Sequence, residues 1–400
     1  MPQPDSMPSA WVDTAAGLDD LIASLAGAPS IAFDTEFHGE RSYLPHLMLV
    51  QVATRDRIYL VDPRAELEIG ALFRAMRDSG ALIIGHALHN DLEIVALQYD
   101  VCLKNLFDTQ IAAAFCGFGL QIGLASLLAS ELDVRVPKGA QLADWSRRPL
   151  PEKQALYAAN DVRYLHPLYD RLAERLERSG RRAWVDEETA PLCEPGRYGR
   201  RSEDAWQRVT GGRRLQPKEL GILAELAAER DRIAREVDTV PHFLISDELL
   251  LGLARHAPSD RDGLLGDRRF THRNIARYVE RWLAAVATGR QQPLHLPKGR
   301  PPPEAGVEAV AGLVMLLVNE VAAQEGVAAQ MLIRRRNVVE ALQDGCPSEA
   351  ELWDRLGLSG WRLDLIGEPV RRLLRGQTHA QIRCASDKNL AVAFVEPTAS

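Results

Sequence analysis

Ile31-Ala-Phe-Asp-Thr-Glu-Phe37 is the stretch that decides how the first part of this chain folds. Apolar and aromatic residues surround two acids, and a strand is the element that separates them cleanly. Side chains alternate along a strand, so Asp34 and Glu36 share one face while Phe33 and Phe37 take the other. Two carboxylates side by side repel, and burying such a pair calls for a cation. A ligand set of oxygens alone suits Mg²⁺ or Mn²⁺ better than zinc.

Two later segments supply partners. Asp91 closes Gly85-His-Ala-Leu-His-Asn-Asp91, and Asp161 closes Tyr157-Ala-Ala-Asn-Asp161. Taken alone, Asp91 at a helix start reads as a dipole partner. Tyr157 and Asp161 are i and i+4, neighbours on one helix face. If these acids converge, they can hold two divalent ions roughly 4 Å apart, an arrangement that hydrolyses phosphodiesters.

Around these motifs the first 180 or so residues alternate strand and helix signals. Leu47 to Ala53 and Ile58 to Asp62 flank the polar turn Thr54-Arg-Asp-Arg57, which predicts a hairpin. Ala81 to His86 and Leu106-Phe107-Asp108 read as short strands, and helices are expected over Asn90–Leu97, Thr109–Cys116, Gly123–Leu132 and after Pro149-Leu-Pro151. The expected class is α/β with a mixed sheet. Residues 181–212, rich in glycine, proline and charge, read as a linker; 213–290 is helical; 291–306, with Pro301-Pro302-Pro303, is a second linker; 307–377 is helical again. The tail 378–400 has one expected strand, Leu390 to Val395, and no functional reading.

Composition narrows the class. The chain has 400 residues and a formal net charge of -7, so nucleic-acid binding depends on local basic patches, not on the overall charge. Five scattered cysteines argue against a zinc site or a disulfide framework and fit a reducing cytoplasm. Met1 to Ala10 is polar, with no signal-peptide pattern. The apolar run Val310 to Val318 is too short to span a bilayer and reads as a buried helix, so no membrane is expected.

Phe33-Asp-Thr-Glu-Phe37, His89-Asn-Asp91 and Tyr157-x-x-x-Asp161 resemble the three motifs of the DEDD 3'→5' exonucleases in their tyrosine branch; Leu156 stands where the other branch has histidine. Tyr43-Leu-Pro45, Gln51, Phe107-Asp-Thr-Gln110 and Asp144-Trp-Ser-Arg-Arg-Pro-Leu150 extend the resemblance to the bacterial ribonuclease D family. Lys218 to Leu226 and Pro241 to Leu249 resemble an HRDC domain, a helical nucleic-acid-binding module, and Gly360-Trp-Arg-Leu with Gly367-Glu-Pro-Val370 resembles the close of a second.

The resemblance implies an RNase H-like (DnaQ-like) exonuclease domain over 1–180, then two all-α HRDC-type domains. It implies that Asp34, Glu36 and Asp161 bind the ion beside the attacking water, that Asp34 bridges to a second ion near Asp91, and that Tyr157 orients the nucleophile. The cofactor would be two Mg²⁺ (or Mn²⁺). Gln51, Lys138 and Arg148 are candidate substrate contacts. The implied reaction is 3'→5' removal of mononucleotides from tRNA precursors and other small structured RNAs, with no obligate protein partner. A 3'→5' DNA exonuclease of the same superfamily is the alternative.

Overall fold

The computed structural model describes residues 7–137, 139, 143–199, 201–296, 300–345, 348–385 and 389–395. Six strands form one sheet in the order β1-β4-β3-β2-β5-β6: β1 (Ser9–Val12), β2 (Ser30–His38), β3 (His46–Ala53), β4 (Ile58–Val61), β5 (Leu82–Gly85) and β6 (Leu106–Asp108). β2, β3 and β4 run antiparallel, β3 and β4 through the expected hairpin, whereas β1 joins β4, β5 joins β2 and β6 joins β5, all in parallel. The sheet is therefore mixed, as expected. β1 and the first two helices, α1 (Ala15–Leu25) and α2 (Ile69–Asp78), carry no signal that the motif reading used.

Alternation along β2 sorts the core into two layers. Ile31 and Phe33 face α1, α2 and α3 (His89–Tyr99), packing with Leu21, Leu72, Phe73 and Val95. Ala32 faces the opposite layer, with Leu49, Ala53 and Leu60 from neighbouring strands. That layer is covered by α4 (Thr109–Ala114), α5 (Leu124–Leu132), α6 (Glu152–Arg163) and α7 (Leu165–Ser179). Asp34 and Glu36 continue the parity of Ala32, so they lie on the α6 side.

The segment expected to be a linker, 181–212, is built into the structure. It opens with α8 (Arg182–Thr189), whose Val185 is fully buried in the exonuclease-side core. A helical unit follows: α9 (Pro217–Glu236), α10 (Pro241–Leu244), α11 (Asp247–His256), α12 (Arg261–Leu265), α13 (Arg273–Arg277) and α14 (Val279–Gln291). It closes around its own core, centred on Leu223, Leu226, Leu253 and Trp282.

The last helices are α15 (Ala305–Glu325), α16 (Arg335–Asp344), α17 (Glu349–Leu356) and α18 (Gly360–Leu374), ahead of a hairpin of β7 (His379–Ala385) and β8 (Asn389–Val395). They do not form a separate core. Ala311, Val314, Leu317, Trp361 and Ile366 join the same apolar cluster as Phe107, Phe115 and Leu172 of the first domain. Ala328 donates a backbone hydrogen bond to Ala114 at 3.0 Å, and Arg362 pairs with Glu188 on α8. The apolar run expected to be too short for a bilayer lies in a longer helix: α15 has 21 residues with a mean hydropathy of 1.7, enough to cross a membrane by length and composition. Here one face packs into the shared core, while Val310, Leu313 and Leu316 are exposed.

Candidate active site

β2 outruns its parallel neighbour. Its pairing with β5 ends at Ala32 opposite Ile84, so the following residues, Asp34 to Glu36, lie beside the turn between β5 and α3. This is the carboxyl end of the parallel strands, where open α/β sheets build their ligand crevices. Asp108, at the end of β6, fixes that turn. Its carboxylate accepts from the backbone N–H of Ala87 (3.0 Å) and Leu88 (2.8 Å), and it also caps α4 through Gln110 and Ile111. The start of α3, and with it Asp91, is thereby held against β2.

Three of the four expected acids converge. Asp34, Glu36 and Asp161 each offer a carboxylate oxygen, and these oxygens all lie within 4.8 Å of one another. Asp161 reaches the group because α6 packs across β2, β3 and β4. Asp91 is not among the three. It is buried beside them, its carboxylate accepting the Thr35 hydroxyl. Thr35, between the two strand acids, is a site residue that the motif reading passed over. A threonine inside the acid–x–acid run was the available signal.

Crowding shows in the acidities. Burial, reinforced by the charges of Asp91, Asp161 and Glu36, pushes Asp34 well above the usual carboxylate range. Burial, with Asp161 and Asp91 adding to it, raises Glu36 to about 9. Burial lifts Asp91 to about 7 against the opposing Thr35 hydrogen bond, and Asp161 likewise to about 7. Without a cation these groups favour their protons. An all-oxygen cluster that resists ionisation until a positive charge arrives fits a divalent ion.

Tyr157 sits one turn before Asp161, its ring 6.1 Å from that of Trp145. Trp145 is held in turn by a backbone N–H donated to His38 Nε2 at 3.0 Å. Beside Tyr157 opens a cavity of about 460 Å³, lined also by Lys153, Gln154, Leu156 and Asn160. A smaller one, about 200 Å³, lies on the other flank between Phe37, Leu44, Pro45, Asn90 and Glu93.

The expected substrate contacts fare differently. Arg148 is an anchor: its guanidinium bonds Asp62 at 2.5 and 2.7 Å and the Met48 carbonyl at 2.7 Å, pinning the segment before α6 to the sheet. Those donors are engaged within the protein. Gln51 is fully buried on β3. Lys138 lies outside the described residues. His86 contacts Thr109 and the Ile122 carbonyl, a packing role, whereas His89 is exposed against Tyr198, with ring centroids 5.8 Å apart.

Known proteins share this arrangement. The 3'-5' exonuclease family model matches residues 9–177, and the HRDC domain model matches residues 219–286. A ribonuclease D from Acidiphilium cryptum is 34% identical over 384 residues, covering 94% of this chain and 95% of its own length. One from Granulibacter bethesdensis is 35% identical over 370 residues, covering 89% and 90%.

The chain belongs to the ribonuclease D family.

The crystal structure of Escherichia coli RNase D, an exoribonuclease involved in structured RNA processing, superposes with a TM-score of 0.77 at 30% identity, over 92% of this chain and 99% of that one. The catalytic core of RRP6 from Trypanosoma brucei gives 0.55 at 25% identity, over 71% and 80%. As a ribonuclease D, the protein is a 3'→5' exoribonuclease that uses divalent metal and binds RNA. Its catalytic domain has the DnaQ-like fold expected from the motifs, and an HRDC domain follows.

Proposed function

We propose that Asp34, Glu36, Asp91 and Asp161 hold two Mg²⁺ (or Mn²⁺) ions, and that Tyr157 orients the attacking water. The observation that carries this reading is the meeting of three carboxylate oxygens within 4.8 Å on two elements far apart in sequence. Divalent ions at such a cluster supply Lewis acidity, activating water and stabilising the leaving oxygen. Asp34, Glu36 and Asp161 would hold the ion beside the attacking water, and Asp34 would also serve the second ion. Asp91, tied to Thr35 beside the three, would help to hold the second ion. The Tyr157 hydroxyl accepts or donates a hydrogen bond to the nucleophile, while Trp145 keeps its ring from swinging away. The two flanking cavities receive the terminal nucleotide and its neighbour.

The substrates in this reading are tRNA precursors and other small structured RNAs, trimmed one 5'-mononucleotide at a time. The helical unit 213–290 grips RNA away from the cleft, and 307–377 is a second HRDC-type domain. Its HRDC-like segments around Trp361 and Pro369 support that assignment, although its apolar face is turned to the catalytic domain. Product analysis on a 3'-extended tRNA, with and without Mg²⁺, tests the reaction, beside matched RNA and DNA oligonucleotides. Metal-dependent release of mononucleotides from the RNA 3' end is expected. A strong preference for DNA would replace this reading with the DNA exonuclease.

A further inference from the structure

Gln51 lies on β3 directly opposite Asp34 of β2. Residues opposite one another in an antiparallel pair project to the same face, so the amide shares its side of the sheet with the acid cluster. Its other neighbours there are apolar: Leu49 and Ala53 on its own strand, Leu60 on β4 and Ala32 on β2. The side chain is fully buried, and among the described residues neither Oε1 nor Nε2 has a hydrogen-bond partner. A primary amide offers two donors and an acceptor oxygen. Leaving all of them unused in a core is costly, and leucine would fill a similar volume without that cost.

Asp34 presents the complementary need. Each acid of the cluster offers one oxygen to the group, and a ligating carboxylate is itself held in orientation by hydrogen bonds. We propose that Gln51 is a positioning residue for Asp34: in the cation-loaded site its Nε2 donates to the Asp34 carboxylate, directly or through one buried water. The inference rests on the reading of Asp34 as a metal ligand. It explains why a glutamine occupies a wholly apolar stretch of β3.

The test uses the full-length chain with Gln51→Leu, Gln51→Asn and Asp34→Asn, and reads Mn²⁺ binding by calorimetry and by electron paramagnetic resonance of the free ion. Gln51→Leu weakens Mn²⁺ affinity by about 10–100-fold, the usual loss when such an outer contact is removed. Gln51→Asn, one methylene short, weakens it in the same direction. At limiting metal kcat falls, whereas KM for RNA is unchanged. Wild-type Mn²⁺ affinity in Gln51→Leu, with only the melting temperature altered, overturns the proposal. If that variant does not fold, wild-type affinity in Gln51→Asn does the same. Asp34→Asn separates the two readings. If it too binds Mn²⁺ like the wild type, the ligand assignment itself has failed; if it alone loses the ion, only the role of Gln51 is refuted.

Discussion

Trp184 of α8 and Trp361 of α18 lie stacked, with ring centroids 5.1 Å apart and planes 19° from parallel. Phe115 of the catalytic domain meets the edge of Trp361 at 4.9 Å, and the Trp361 indole N–H donates to Glu188 at 3.0 Å. The last helical block is thus a wall of the catalytic domain's own core. Its docking joins residues that the sequence separates by an entire HRDC domain.

Removal of that wall has a structural consequence. Trp361→Ala is expected to destabilise the protein by about 3–5 kcal/mol, the range for a buried large-to-small aromatic change. A chain ending near residue 295 exposes the same cluster and is expected to aggregate or melt early, instead of behaving as a trimmed enzyme with weaker RNA binding. Urea and thermal denaturation of both, beside oligonucleotide cleavage, measure this. An intact melting transition in the shorter chain would refute the shared core.

Asp34→Asn tests the site directly. It replaces an acid that, without a cation, already favours its proton, so the fold is expected to persist with a Tm near the wild-type value. Cleavage is expected to fall by roughly 10³-fold or more, at least the scale of losing one principal electrostatic contact in a site. Gel-shift binding to tRNA should stay near the wild-type value. Activity within tenfold of wild type would remove Asp34 from the metal site.

Tyr157→Phe keeps the ring against Trp145 and deletes only the hydroxyl. A group that orients the nucleophile acts chiefly in the transition state, so kcat should drop by about 10²–10⁴-fold with little change in KM. Circular dichroism and the melting curve should match the wild type. A rise in KM with kcat preserved would instead make Tyr157 a substrate-binding residue.

His166 gives the protein an acid-side weakness. Burial, partly opposed by its contact with the Ser30 carbonyl, lowers its pKa to about 4 from an ordinary 6.5. Above pH 6.5 both folded and unfolded chains carry the neutral ring. As pH falls towards 4 the unfolded chain takes up a proton that the folded one refuses, so stability is lost across that window, by about 3 kcal/mol at most. The raised carboxylates of the active site titrate with the opposite sign over an overlapping range. The informative measurement is therefore the difference between wild type and His166→Phe in urea midpoints at pH 7.5, 5.5 and 4.5. A constant difference would show that His166 does not carry this term.

The amino-acid order alone determined the chemistry. Asp34, Glu36 and Asp161 were legible because acids inside apolar strand and helix patterns are local features, and period-two and i,i+4 spacing fix which side chains share a face. The same local logic gave the β3–β4 hairpin and the short strands β5 and β6. Tertiary structure decided what spacing leaves open: which donors are already in use, and which faces are covered. Arg148 meets Asp62 and the Met48 carbonyl only in the folded chain. Gln51 is buried where α6 packs over its strand. The segment 181–212 looked like a tether until α8 met Trp361. Each of these depends on contacts between residues distant in the chain, and no periodicity records such contacts, because burial is a property of the packed molecule and not of any stretch of sequence.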